Sequence, residues 1–161
     1  MSKPIIYFDL DGVLADFTKG VFEKCGVSIT GPDSLFDKDI KARVFSDPSF
    51  FLELDVMSGA HDMIELARTF GIVKILSATG YSSESLVAAQ KRAWVSKHFG
   101  SDLEVHLVQK SHHKAKYAWP DVVLIDDRLE KSIMPFRDKG GIGIHHTDPE
   151  LTKVELVEVF K

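Results

Sequence analysis

One cysteine, Cys25, stands among 161 residues, which excludes an intramolecular disulfide and fits a reducing compartment. It lies in the helical stretch VFEKCGV, where it reads as a packing thiol and not as a nucleophile. No apolar run reaches membrane-spanning length, and the apolar part of MSKPIIYFDL is too short for a signal peptide. The expected location is therefore cytoplasmic. An excess of basic residues is missing too: 20 Lys and Arg face 24 Asp and Glu, for a net charge of −4. This argues against a surface that binds nucleic-acid polymers non-specifically, although a pocket of opposite local field can still take a small anion. A phosphate-binding P-loop is lacking, and GGIGIHH lacks the last glycine of a dinucleotide fingerprint. Internal repeats, low-complexity tracts and linkers are absent as well.

What is present is a rhythm. Five apolar segments recur: PIIYF, IVKILS, LEVHLV, DVVLI and GIGIHH. Their β-branched, nearly continuous character suits strands covered on both faces, as in parallel sheets. Between them lie helical pieces with caps. SGAHDMIELARTFG stops at Gly71, SSESLVAAQKRAWVSKHFG starts at serines and stops at Gly100, and HTDPELTKVELVEVF has Thr147 or Asp148 as N-cap. Alternating strands and helices predict a Rossmann-like, doubly wound α/β sheet, and the length suits one such core. The rhythm breaks from Val27 to Val56, a stretch too long for a plain connection. It holds turn formers, a helical KDIKARVF, and Phe50-Phe51. The expected organisation is a core of residues 1–26 and 57–161, with 27–56 as a small helical cap inserted after the first strand.

Ligands of open α/β sheets bind beyond the carboxyl ends of the strands. Asp9 and Asp11 follow the first apolar run, Ser77, Ala78, Thr79 and Gly80 the second, and Asp126 and Asp127 the fourth. Carboxylates gathered beside an apolar interior need compensating cations, and a divalent metal ion is the obvious one. An EF-hand does not explain the acids, because Gly12 comes too early and Gly20 stands where a glutamate is required.

FDLDGVLAD, ILSATG and VVLIDDR, in this order, resemble three motifs of the haloacid dehalogenase superfamily in its phosphatase branch. DGVLADF, DPSFFLEL followed by SGAHDMIELAR, KRAWVSKHFG and LIDDR resemble, within it, the 5′(3′)-deoxyribonucleotidases. The resemblance implies a Mg2+-dependent phosphomonoesterase that removes phosphate from deoxynucleoside monophosphates. Asp9 is then the nucleophile that forms an aspartyl-phosphate, and Asp11 the acid and base for the leaving alcohol and the attacking water. Mg2+ would be held by Asp9, the Asp11 carbonyl and Asp127, with Asp126 in support, although adjacent acids are not separable by sequence. Ser77 and the Ala78 amide would bind phosphate, with Thr79 as the alternative hydroxyl. For the phosphate-neutralising lysine, Lys91 competes with Lys114 and Lys116. Phe17 would face the base, with Phe50 or Phe51 as a second apolar wall.

The pairs His112-His113 and His145-His146 lack the i,i+4 spacing or cysteine partner of a zinc site, and since His145-His146 follows the fifth apolar run, one of the two is expected at the pocket rim. Rival expectations are the same chemistry on another small phosphate ester such as a sugar phosphate, a mutase, or a non-catalytic binding protein of the same fold. A monomer or homodimer without membrane partners completes the reading.

Overall fold

The computed structural model describes residues 2–31 and 37–161. Its centre is a parallel sheet of five strands: β1 (Ile5–Phe8), β2 (Ile72–Ala78), β3 (Val105–Val108), β4 (Val123–Asp126) and β5 (Ile142–His145). The order is β3-β2-β1-β4-β5, so the chain first builds outward from β1 on one side and then restarts on the other. The reversal leaves a crevice at the carboxyl ends of β1 and β4, the place where such sheets take ligands. Each of the five apolar runs is the strand expected of it.

Alternate residues of the strands serve two cores. Ile6, Phe8, Ile75, Val123 and Ile125 enter a large cluster with Val21, Met63, Ile64, Trp94 and Leu156. These come from α1 (Phe17–Cys25), α3 (Ala60–Phe70), α4 (Glu84–Phe99) and α6 (Pro149–Val159). Tyr7, Leu76 and Leu124 point the other way, to Ile133 and Phe136. That side is covered by a 3-10 helix (Ser111–Tyr117), a π-helical turn (Leu129–Ile133) and α5 (Met134–Asp138). Burial of an Ile or Phe on either face is worth roughly 1.5–3 kcal/mol, and this double coverage is why the runs read as continuous and not alternating. No helix among the described residues is long and apolar enough to cross a membrane.

The segment from Phe17 to Leu54 is an excursion whose two ends are stitched together. The Asp16 amide donates to the Asp55 carbonyl at 2.9 Å and the Met57 amide to the Leu14 carbonyl at 2.8 Å. Asp16 caps α1 by accepting from the Lys19 amide, and Asp37 caps α2 (Lys38–Ser46) by accepting from the amides of Asp39 and Ile40. The expected KDIKARVF helix is α2. The turn formers of the expected cap lie partly outside the described residues.

The return from α2 is fastened to α4. Gln90, buried, accepts from the amides of Phe51 at 2.8 Å and Leu52 at 3.3 Å, and donates to the Asp47 carbonyl at 2.9 Å. One turn on, the Trp94 indole donates to the Leu54 carbonyl at 2.7 Å. Both side chains thus satisfy main-chain groups that would otherwise be buried without partners.

Candidate active site at the strand ends

The loop after β1 is tightly wound. The Asp9 amide prolongs the pairing with β4 by donating to the Ile125 carbonyl at 3.0 Å, and the Leu10 carbonyl accepts from the amides of Val13, Leu14 and Ala15. Gly12 makes this turn with a φ of +83°, in the region that favours glycine, and any Cβ there would collide with Asp127 Oδ2. The loop therefore brings its main chain close against the Asp127 carboxylate.

Two buried lysines organise the acids. Lys114, from the 3-10 helix, reaches Asp9 Oδ1 at 3.1 Å and Asp126 Oδ2 at 2.6 Å. Lys91, from α4, donates to Asp11 Oδ2 at 3.0 Å, Ser77 Oγ at 2.8 Å and the Ala78 carbonyl at 2.8 Å. Lys91 and Lys114, expected as competitors, thus both enter the site. Lys116 does not: its ammonium lies over the Tyr117 ring. Thr79 is also withdrawn, its hydroxyl donating to the Gly80 and Val108 carbonyls.

The electrostatics follow from burial. Burial raises the Asp11 pKa against the opposing pull of Lys91, and the Asp9 charge adds to the rise. Burial, then the charges of Asp9 and Asp126, push Asp127 up to about 9. Asp126 is raised by burial and Asp9, with Lys114 opposing. Burial alone would lower Lys114, but Asp126 and Asp9 outweigh it and hold the ammonium well above its ordinary value. With all four carboxylates ionised the cluster would carry more negative charge than its two lysines offset, and the raised pKa values of Asp11, Asp126 and Asp127 express that excess.

Asp9, Asp126 and Asp127 each offer an oxygen within 4.8 Å of the others. Asp127 Oδ1 is buried and has no hydrogen-bond partner. An all-carboxylate trio with an orphaned oxygen suits a hard divalent cation, which would supply the missing positive charge. The residues present fit such an ion.

Above the acids opens a cavity of about 760 Å3, and Asp9, Asp11, Ser77, Ala78, Lys91 and Lys114 are among its lining residues. Phe17 and Phe45 line it as well. Phe50 and Phe51 do not. Like Phe17 itself they are buried, packing on its ring at separations of 5.7 and 6.2 Å, and Phe51 also meets Phe45 at 5.4 Å. Lys41 and Phe45 were missed by sequence reasoning, and their i,i+4 spacing on α2 is the signal that they share a face. Arg128 and Ser111 were missed too: the guanidinium donates to Ser111 Oγ at 2.8 Å, and both line the cavity. His112 reaches the lining, whereas His145 Nε2 lies 3.1 Å from the Asp127 carbonyl and His146 bonds Thr152 in the interior.

The chain matches no protein-family model. Over 136 residues, 84% of this chain and 72% of the other, it is 27% identical to a Vibrio phage KVP40 protein described as "Putative 5′(3′)-deoxyribonucleotidase". Among solved structures it resembles a haloacid dehalogenase-like family hydrolase from Xanthomonas campestris. The TM-score is 0.64 at 13% identity, over 99% of this chain and 92% of that one. It also resembles the magnesium-bound "putative HAD-hydrolase YfnB" of Bacillus subtilis, with TM-score 0.55 at 14% identity over 96% and 99% of the two chains. The strand order, the motifs at the strand ends and these likenesses agree: the chain is built on the core fold of the haloacid dehalogenase-like hydrolases.

Proposed function

We propose that the protein is a magnesium-dependent phosphomonoesterase acting on deoxynucleoside monophosphates, with residues 27–56 as a cap over its site. The observation that carries this reading is the pair of buried lysines, one joining Asp11 to Ser77 and the other joining Asp9 to Asp126, beneath a cavity walled by Phe17 and Phe45. A phosphate dianion needs that concentration of donors, and a nucleobase suits an aromatic wall. The nucleotidase name borne by the phage relative supports the same substrate class.

In this reading the Asp9 carboxylate attacks phosphorus, forming the aspartyl-phosphate as the ester P–O bond breaks. Asp11, whose raised pKa keeps a proton available, gives it to the departing alkoxide. The resulting Asp11 carboxylate then takes a proton from water as the water attacks the intermediate, releasing phosphate and restoring Asp9. Lys91 and Ser77 orient the phosphate oxygens, and Lys114 holds Asp9. Asp9, Asp127 and the Asp11 carbonyl, supported by Asp126, would hold Mg2+. When bound, the ion supplies charge neutralisation for the phosphate and the acids.

The test is phosphate release from 5′- and 3′-deoxynucleotides, ribonucleotides and sugar phosphates, with Mg2+ and with chelator. Turnover concentrated on deoxynucleotides and lost with chelator is expected. Turnover of sugar phosphates alone would keep the chemistry and discard the substrate.

A pH effect follows from the same acids. Asp127 has a folded-state pKa of about 9, above its unfolded value of 3.8. The folded state therefore binds the extra proton between those limits, and stability is lost as pH rises through that window. Burial lowers the pKa of His98 and of His146, and those shifts act below neutrality. The melting temperature of the metal-free protein should accordingly fall from pH 7 to 9, and saturating Mg2+ should flatten the decline. A metal-free melting temperature that is level across this range would refute the assignment.

A further inference from the structure

The cavity's outer edge has a charge that hydrolysis of one phosphate does not use. Lys41, Lys110, Arg128 and Lys131 line it, against the single carboxylate of Glu130, in a chain whose net charge is −4. The inner lysines are already matched, Lys91 by Asp11 and Lys114 by Asp9 and Asp126. Lys41 and Lys110 are different. Lys41 projects from α2 and has no carboxylate partner among the described residues. Lys110 follows β3, and its ammonium lies 5.2 Å from the centre of the exposed Tyr81 ring, a contact that fixes it at the mouth without neutralising it. These two cations come from separate parts of the chain and line the same cavity. The cavity's volume of about 760 Å3 exceeds what a single phosphate group fills and falls in the range that holds drug-sized ligands.

We propose that Lys41 and Lys110 form a second anion subsite, and that the preferred substrate is a nucleotide carrying another phosphate group beyond the one cleaved. This inference rests on the nucleotide phosphatase reading. The cleaved group occupies the floor beside Asp9, Ser77 and Lys91, and the sugar and base pass along Phe17 and Phe45. The second phosphate meets the ammonium groups at the rim, where charge-assisted hydrogen bonds form.

The test compares kcat/KM for a deoxynucleoside 5′-monophosphate, the 3′,5′-bisphosphate of the same nucleoside, and the corresponding 5′-phosphorylated dinucleotide. The wild-type protein and the double variant Lys41→Met, Lys110→Met are assayed together, with thermal melts to verify folding. About a tenfold preference for a substrate with the second phosphate is expected, in line with hydrogen bonds to charged groups. The double variant should lose most of that preference. A bisphosphate that outperforms the dinucleotide identifies a second monoester as the bound group; the reverse identifies a diester. Equal wild-type values for all three substrates would overturn the proposal. So would an equal fall for all three in the variant, since the lysines would then only steer anions inward. If no nucleotide is turned over, the phosphatase reading fails first. The subsite is then read separately, by calorimetric binding of the bisphosphate to Asp9→Asn protein with and without the two lysine substitutions. Binding that depends on the lysines supports the subsite, and binding that ignores them, or none, overturns it.

Discussion

Asp9→Asn should abolish phosphate release, with kcat reduced by at least a factor on the order of 10^3, because an amide cannot form the acyl-phosphate bond. The same substitution should not lower the melting temperature of the metal-free protein. Asp9 is the second-largest cause of the raised pKa of Asp126 and of Asp127 and contributes to that of Asp11. Removing its charge relieves all three acids, while Lys114 keeps its 2.6 Å contact with Asp126. Loss of turnover with a level or higher melting temperature therefore distinguishes a missing nucleophile from a damaged fold. Residual turnover within tenfold of wild type would assign the nucleophile elsewhere.

Lys114→Met is expected to be the most destabilising single change at the site. Its side chain is 1% exposed, and it faces Asp9 and Asp126, themselves 6% and 0% exposed. Removing one partner of a buried ion pair costs about 3–5 kcal/mol, because the remaining charges have neither water nor a counterion. For a chain of this size that is a fall of roughly 10 °C in melting temperature. The fall should shrink at pH 5, where Asp126, already raised by burial and by the Asp9 charge, can take up a proton, and shrink again when Mg2+ is present at neutral pH. Lys114→Arg should not rescue it, since a planar fork does not fit the space of a compact ammonium among packed neighbours. A loss below about 1 kcal/mol, by chemical denaturation at pH 8 without metal, would refute a charged, buried contact between Lys114 and its partners.

Much of the core was legible because of where parallel sheets put their chemistry. A strand buried on both faces must be apolar along its length, and the polar residues that follow it lie at the ligand-binding edge. PIIYF followed by Asp9 and Asp11, IVKIL by Ser77, and DVVLI by Asp126 and Asp127 carry that pattern openly. The lysines were harder. Lys91 and Lys114 looked like rivals because each satisfies a different family habit; only the packing of α4 and the 3-10 helix against opposite sides of the acids makes both reach in. The aromatic wall depends on tertiary structure still more. Phe50 and Phe51 are conspicuous neighbours in sequence, yet the main-chain bonds to Gln90 turn them into the core. Phe45, unremarkable in KDIKARVF, receives the exposed side of that cluster and lines the cavity in their place.

The fastening of α4 has a mechanical consequence. Gln90 grips the main chain at Asp47, Phe51 and Leu52, Trp94 grips it at Leu54, and Lys91, between them, reaches Asp11 and Ser77 and lies 5.2 Å from the Phe51 ring. The backing of the aromatic wall and the ammonium beside Asp11 and Ser77 are therefore carried on one helix. In the proposed reading, a guest too large for the opening cannot push the wall aside as if it were a free lid, because the strain passes through α4 to the ammonium assigned to orient the phosphate. Misfit at the base end would then be felt at phosphorus, so that a poor guest is turned over slowly even when it is held well.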